Sequence, residues 1–186
     1  MVDHDFEPGT PTIETNCPVW CRNACIAAWP TKALLGNARI DPRECISYLT
    51  YFGQDITPKE LREPMGMYVY GCDRCQNVCP RNQGWVAKDL PLNEAVEKKA
   101  DNFDLSKLLH MDKAYFKIKV WPHMFYMSYD DVWRWKMNVA RVMGNSRDPR
   151  FVPDLVKAFF DHDDERVRGM IAWPWDVSAV RTRKAP

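Results

Sequence analysis

Residues 71–80 read GCDRCQNVCP and hold three of the chain's seven cysteines at short gaps. The pattern CxxCxxxCP is typical of bacterial ferredoxin-type proteins, in which closely spaced cysteines wrap one iron–sulfur cluster and the cysteine before proline turns away to a second cluster. Thiolate sulfur is a soft ligand that selects iron–sulfur clusters, zinc or copper(I). This stretch therefore predicts thiolate-bound metal, and its final Cys-Pro predicts two clusters.

The other four cysteines lie upstream, so all seven precede residue 80. Three of them fall in the phrase NCPVWCRNACIAAWPTKAL, residues 16–34, and Cys45 follows. Seven thiols cannot all pair as disulfides, and the acidic, polar N-terminus does not have the pattern of a secretory signal. We therefore expect a cytoplasmic protein that uses its thiols for metal. A structural zinc site is the alternative, although the second half offers no Cys–His pairs at finger spacing.

The composition of the 186 residues is that of a folded, water-soluble chain, with 46% hydrophobic and 27% charged residues. The net charge of +1 excludes a strongly basic nucleic-acid binder that works by bulk charge alone. No apolar stretch approaches the roughly 18–20 residues that span a bilayer, so we expect no membrane span.

The two halves of the chain differ in pattern. The first half has short elements broken by proline and glycine, including a predicted strand at residues 67–71, MYVYG. The second half predicts three helices, which begin at Ser128, at Asp148 and in the acid-led phrase DDERVR. Their cadence favours about one and a half units of a helical repeat, with a plain three-helix cap as the alternative. The polar stretch 82–102 between the halves places a domain boundary near residue 100.

Residues 16–82 resemble the iron–sulfur domain of the epoxyqueuosine reductases and, more loosely, that of the corrinoid-dependent reductive dehalogenases. The phrases that carry the resemblance are WPTKAL, RECISYLTYF and REPMGMYVYGCDRCQNVCPRN. The later phrase VARVMGNSRDPRFVPDLVKAF resembles the HEAT-like C-terminal repeat of the epoxyqueuosine reductases. The resemblance implies an α+β protein, with a small ferredoxin-like two-cluster domain over residues 1–100 and an all-α HEAT-like helical cap over residues 101–186.

The resemblance also implies two [4Fe-4S] clusters whose ligands cross between the two cysteine groups. Carried over to this chain, the ligands of the first cluster are Cys17, Cys21, Cys25 and Cys79. Those of the second cluster are Cys45, Cys72 and Cys75. No catalytic residue of that family is matched in this chain.

The chain departs from the family pattern in two ways. The gaps from Cys17 to Cys21 and from Cys21 to Cys25 are each one residue longer, and Trp29 stands where the family has a cysteine before proline. The three-cysteine cluster has therefore lost a thiolate, which leaves a [3Fe-4S] cluster, a non-cysteine ligand or an open iron. The alternative is that the lengthened 17–25 loop shifts and moves the vacancy to the other cluster.

The family's reductases carry an N-terminal corrinoid-binding catalytic domain, whereas sixteen residues precede Cys17 here. We therefore expect an oxidoreductase component that does not reduce epoxyqueuosine alone and delivers electrons to a separate redox partner, such as a corrinoid-dependent reductase. One alternative is an enzyme or enzyme subunit that uses the open iron. The other is an RNA- or protein-binding module with structural clusters, for which the family's substrate suggests tRNA.

Overall fold

The computed structural model describes residues 5, 7, 9–10, 17–124 and 126–174. One antiparallel hairpin, β1 (Leu34–Gly36) and β2 (Arg39–Ile40), is the sheet found in this part of the chain. The α-helices are α1 (Ala24–Ala28), α2 (Ile46–Tyr51), α3 (Lys59–Arg62), α4 (Arg74–Asn77), α5 (Gln83–Val86), α6 (Glu94–Ala100), α7 (Leu105–His110), α8 (Lys113–Tyr115), α9 (Val132–Ser146), α10 (Val152–Asp161) and α11 (Glu165–Ala172). Short 3₁₀ helices at Val19–Cys21, Pro42–Glu44, Pro80–Asn82, Asp101–Phe103, Trp121–His123 and Pro149–Phe151, and a π-helix at Phe116–Val120, complete the described elements. This mainly helical arrangement with one small sheet agrees with the predicted α+β class.

Helix α9 lies at the centre of the described structure, and every residue from Arg134 to Gly144 is buried. A helix that is buried on all sides needs neighbours on all sides. Helices α7 and α11 pack against it directly, and α10 packs against both of them. Trp135, Val139 and Met143 belong to the larger apolar core that these helices share. Side chains from the cysteine-bearing half, including Ile56 and Tyr70, pack against the same core. The division near residue 100 stays a prediction, and this core spans it.

Four polar side chains of α9 donate hydrogen bonds to backbone carbonyls of the cysteine-bearing half. Arg134 donates to the carbonyl of Gly53, Asn138 to that of Thr50, Arg141 to those of Gly66 and Tyr68, and Asn145 to those of Arg62 and Gly66. The nitrogen–oxygen distances are 2.5 to 3.1 Å. Buried polar groups are stable only when they are hydrogen-bonded, so each of these bonds fixes one loop of the first half. Helix α9 therefore positions loops that lie between Cys45 and Cys72.

Two of the three predicted helix starts are confirmed. The Asp148 carboxylate accepts a hydrogen bond from the Arg150 backbone N–H, and the Asp164 carboxylate accepts one from that of Arg166, so both cap helices that follow. The start at Ser128 is wrong, because the Ser128 hydroxyl accepts from the Asp130 N–H in a turn and α9 begins at Val132. Within the described residues, no helix is long and apolar enough to cross a membrane.

The strand predicted at residues 67–71 is also wrong. The carbonyls of Gly66 and Tyr68 accept hydrogen bonds from the Arg141 guanidinium rather than from a neighbouring strand. Gly71 adopts a left-handed backbone with a φ of 70°, which ends any extended run. The alternating aromatic side chains that suggested a strand instead meet two different neighbours. Tyr68 packs on the small core of Ile46, Leu49 and Met65, whereas Val69 and Tyr70 pack on the larger core.

We predict that Arg141→Ala lowers the free energy of unfolding by at least about 3 kcal/mol, because it leaves a cavity and removes the donor of the Tyr68 carbonyl, whereas the Gly66 carbonyl keeps the Asn145 amide. Burial lowers the pKa of Arg141 to about 10, so the guanidinium is still charged at neutral pH. Urea denaturation of the metal-loaded chain, followed by tryptophan fluorescence, measures the effect. Arg147→Ala is the control, since the Arg147–Glu63 ion pair is exposed and such pairs contribute less than about 1 kcal/mol. Equal losses in the two variants would contradict the role assigned to Arg141.

Candidate metal centre

All seven cysteines are free thiols, and all except the exposed Cys17 are partly buried. Within the described part of the chain, no three His, Cys, Asp or Glu side chains come together as the ligands of a single metal ion. In a [4Fe-4S] cluster, four cysteines each bind a different iron. The elements of the structure carry the thiols in two groups: Cys45, Cys72 and Cys75 lie near α2 and α4, and the other four lie near α1 and the end of α4.

Cys45 occupies a break between two helical segments. The 3₁₀ turn Pro42–Glu44 ends there, the Cys45 backbone is extended with a ψ of 124°, and α2 begins at the next residue. The Cys45 carbonyl accepts a hydrogen bond from the Leu49 N–H at 2.9 Å. The Cys45 side chain makes no capping hydrogen bond, so its sulfur is available as a ligand.

Cys72 is held against the end of α2 by its neighbour Gly71. The Gly71 N–H donates to the Thr50 hydroxyl at 3.1 Å, in a buried contact. A Cβ atom at position 71 would lie 2.5 Å from the Tyr51 hydroxyl oxygen, and the left-handed backbone of residue 71, with a φ of 70°, also favours glycine. Cys72 itself packs against the small core of Ile46, Leu49 and Met65. The contact with α2 therefore brings the segment of Cys72 to the helix that begins at Cys45.

Cys75 lies one turn further on, in α4. Burial raises the pKa of the Cys75 thiol, and the negative charge of Cys72 raises it further. The Gln76 amide lies 3.8 Å from the Cys75 sulfur and acts in the opposite direction. Two neighbouring, partly buried thiolates are unfavourable without a cation, and metal binding removes that penalty. The donor chemistry of this pair fits a thiolate-bound metal.

The remaining cysteines surround α1 and its neighbours. Cys17 and Cys25 line one cavity of about 540 Å³, whose opposite wall is the β1–β2 hairpin. Between them, Arg22 and Asn23 both have left-handed backbones, with φ values of 49° and 57°, and they reverse the chain after Cys21. Helix α1 packs against α4, which leads directly into Cys79. The upstream triplet and Cys79 therefore belong to adjacent elements.

Trp29 is buried, and its side chain is linked by hydrogen bonds to the residue before Cys45. Its indole N–H donates to the Thr31 hydroxyl at 3.0 Å, and that hydroxyl donates to the carbonyl of Glu44, the residue before Cys45. An indole offers a donor and no lone pair for iron. Trp29 is therefore linked through Thr31 to the residue before Cys45, and its indole cannot act as a ligand to iron. The division of the seven cysteines between two clusters remains a prediction.

Sequence patterns do not single out Thr50 or Tyr51, although both contact Gly71. The roles of Thr50 and Tyr51 follow only from the three-dimensional structure, in which the segment around Gly71 packs against the end of α2. The one sequence signal is the glycine directly before the first cysteine of the CxxC pair, a position where a left-handed backbone or a close approach is expected.

The family described as "4Fe-4S double cluster binding domain" matches residues 16–82. An uncharacterized protein in the gldA 3′ region of Geobacillus stearothermophilus is 34% identical over 90% of this chain and 74% of its own length. The epoxyqueuosine reductase of Listeria monocytogenes is 31% identical over 90% of this chain, which spans 42% of that relative.

The solved structures that this chain is similar to are also epoxyqueuosine reductases. The epoxyqueuosine reductase of Bacillus subtilis has a TM-score of 0.70 and 28% identity over 92% of this chain and 44% of its own chain. An epoxyqueuosine reductase solved with a tRNA-Tyr stem loop has a TM-score of 0.59 and 25% identity, over 92% and 52% of the two chains. The chain thus spans about half or less of the epoxyqueuosine reductases that it matches.

We predict that Thr50→Val, which leaves the buried Gly71 N–H without an acceptor, lowers the free energy of unfolding by about 1–3 kcal/mol. It should also lower the amount of iron retained during purification, because Gly71 positions Cys72. Thr50→Ser, which keeps the hydroxyl, is the matched control and should retain its iron. Iron analysis and urea denaturation measure both effects. A valine variant that matches the serine variant in both would show that this hydrogen bond does not position the site.

Proposed function

We propose that this chain, which belongs to the same family as the Geobacillus protein and whose residues 16–82 match the 4Fe-4S double cluster binding domain, is the electron-transfer part of a reductase. The observation that carries the proposal is the set of seven free thiols, which lie within or next to elements that contact one another in the matched region. Its work is one-electron transfer to a separate partner, such as a corrinoid-dependent reductase. Its class is therefore oxidoreductase, as for the named relatives.

The ligands that we propose for one cluster are Cys17, Cys21, Cys25 and Cys79, and those for the other are Cys45, Cys72 and Cys75. Bound clusters supply reversible one-electron chemistry at potentials set by ligands, hydrogen bonds and exposure. The chain's own residues hold the ligands in place and restrict the access of water to the clusters. The small core of Ile46, Leu49 and Met65 lies behind Cys72, and the hydrogen bonds from α9 hold the neighbouring loops. A site fixed in this way can change charge with little movement of the protein.

Trp29 makes the two clusters unequal in this proposal. Since the indole cannot ligate iron, the group of Cys45, Cys72 and Cys75 holds a [3Fe-4S] cluster or a cluster with one iron that lacks a thiolate. The hydrogen bonds from Trp29 through Thr31 to Glu44 support this assignment, because they link the tryptophan to the residue before Cys45. The four-cysteine cluster is then the electron carrier of ordinary type.

An RNA-binding role is the second candidate, and the solved relative with a tRNA-Tyr stem loop is the observation that favours it. In that case the clusters would stabilise the fold, and RNA would bind equally well to oxidised and reduced protein. Electron transfer instead requires that the oxidised and reduced forms interconvert reversibly. A binding titration with a tRNA-Tyr stem loop, carried out on both redox states, separates the two roles.

We predict that the chain purified without oxygen is brown and holds about seven or eight iron atoms, with all seven thiolates as ligands. Dithionite should reduce it and mild oxidation should restore it without loss of iron, and it should not turn over epoxyqueuosine alone, even with cobalamin. Cys72→Ala and Cys79→Ala should each destroy one cluster and destabilise the first half, because metal binding and folding are coupled in small domains. Optical spectroscopy and iron and sulfide analysis measure these changes. A colourless, zinc-loaded protein would contradict the proposal.

We predict that Trp29→Cys converts the three-cysteine cluster to an all-thiolate cluster, with a changed electron paramagnetic resonance spectrum and greater tolerance of oxygen. Trp20→Cys is the matched control, because it adds a thiol to the same loop at a position that is 68% exposed. The unmodified protein should give a [3Fe-4S] or site-differentiated signal. If the unmodified protein already gives two ordinary all-cysteine signals that Trp29→Cys leaves unchanged, the assignment of Trp29 is wrong.

A further inference from the structure

We propose that the Tyr51 hydroxyl donates a hydrogen bond to the sulfur of the cluster held by Cys45, Cys72 and Cys75, and that this bond raises the reduction potential of that cluster. This inference rests on the proposed function, because it requires that the three cysteines bind a cluster. Tyr51 is then a positioning residue that acts on the cluster through its sulfur atoms and does not bind iron.

The helix that begins after Cys45 carries the Tyr51 hydroxyl back toward that cysteine. Tyr51 is the last residue of α2, and side chains in an α-helix lean toward its N-terminus. The phenol oxygen accordingly lies beside Ser47, one turn earlier, and within electrostatic range of Cys45 and Asp73. Asp73 directly follows Cys72. The hydroxyl therefore faces the segments of both cysteines.

Gly71 gives an independent measure of the same position. The Tyr51 hydroxyl oxygen lies 2.5 Å from the point where a Cβ atom of residue 71 would stand. The phenol thus fills the space of the missing side chain of the residue that precedes Cys72. Cys45 begins the helix that carries Tyr51, and Cys72 follows the glycine that Tyr51 covers. The hydroxyl therefore lies against the residue before Cys72 and within electrostatic range of Cys45.

The ring of Tyr51 is fixed by other aromatic rings. Tyr70 lies 4.3 Å away between ring centroids, and Tyr126 stacks at 5.3 Å with an interplanar angle of 18°. Phe52 meets it edge-on at 5.9 Å. Aromatic contacts of this kind each contribute about 0.5–1.5 kcal/mol beyond the burial of apolar area. The phenol oxygen is therefore held in one place before a cluster binds, and its O–H bond can rotate toward an acceptor.

A hydrogen bond to a cluster sulfur favours the reduced cluster, because the reduced form carries more negative charge. Hydrogen bonds to charged groups are stronger than neutral ones. We therefore expect one such bond to change the equilibrium constant for reduction of the cluster by about tenfold. For a one-electron couple, a tenfold change corresponds to about 59 mV. Removing the hydroxyl should therefore shift one cluster to a more negative potential by about this amount.

The test is Tyr51→Phe in the full chain loaded with iron and sulfide without oxygen. Phenylalanine keeps the ring contacts with Tyr70 and Tyr126, so the variant should fold and bind the same amount of iron. A redox titration followed by electron paramagnetic resonance measures the potential of each cluster. Tyr48→Phe is the matched control, since Tyr48 lies on the same helix with 38% of its surface exposed.

We expect Tyr51→Phe to lower the potential of the three-cysteine cluster, with the other cluster and the Tyr48→Phe variant unchanged. Equal potentials in the wild-type and Tyr51→Phe proteins would overturn this inference and leave the proposed function standing. Loss of a phenolate-to-iron absorption band in Tyr51→Phe would also overturn it, since Tyr51 would then be a ligand. A protein that binds no cluster would remove the proposed function, and this inference with it.

Discussion

The structure depends on the buried hydrogen bonds that α9 donates to backbone carbonyls of the cysteine-bearing half. Asn138 is fully buried and donates to the Thr50 carbonyl, while the Thr50 hydroxyl accepts from the Gly71 N–H next to Cys72. Arg141 holds the carbonyls of Gly66 and Tyr68, a few residues before the same cysteine. Because unsatisfied polar groups are costly in a protein interior, these bonds select one arrangement of the loop. The helical half therefore positions the residues that lead into the metal centre.

The thiols give this arrangement its chemistry. Burial raises the pKa of the Cys75 thiol, and the charge of the neighbouring Cys72 raises it further. A cation relieves both effects, so metal binding and the close packing around Gly71 favour the same conformation. The proposed clusters are thus joined to the fold through the segment that follows Gly71. The hydrogen bonds from Trp29 to Thr31 and from Thr31 to Glu44 add a similar constraint at Cys45, from a residue that cannot bind iron itself.

The sequence predicted the features that depend on local spacing. The run at residues 71–80 indicated the double-cluster family, and Asp148 and Asp164 cap the helices expected after them. It failed where contacts between distant segments decide the structure. The alternation in residues 67–71 predicted a strand, but Arg141, more than seventy residues later, takes the carbonyls that a strand would use. Tyr51 also carries no sequence signal, because its importance arises from the glycine that α2 meets in space.

The central claim is that the seven cysteines hold two unequal clusters, and Mössbauer spectroscopy of the chain loaded with ⁵⁷Fe tests it most directly. This method distinguishes irons by their ligands and counts them in the same spectrum. The account predicts one ordinary four-thiolate cluster together with a second cluster that either has three irons or contains one iron distinct from its neighbours. Two identical all-thiolate clusters, or iron bound in isolated single sites, would contradict it.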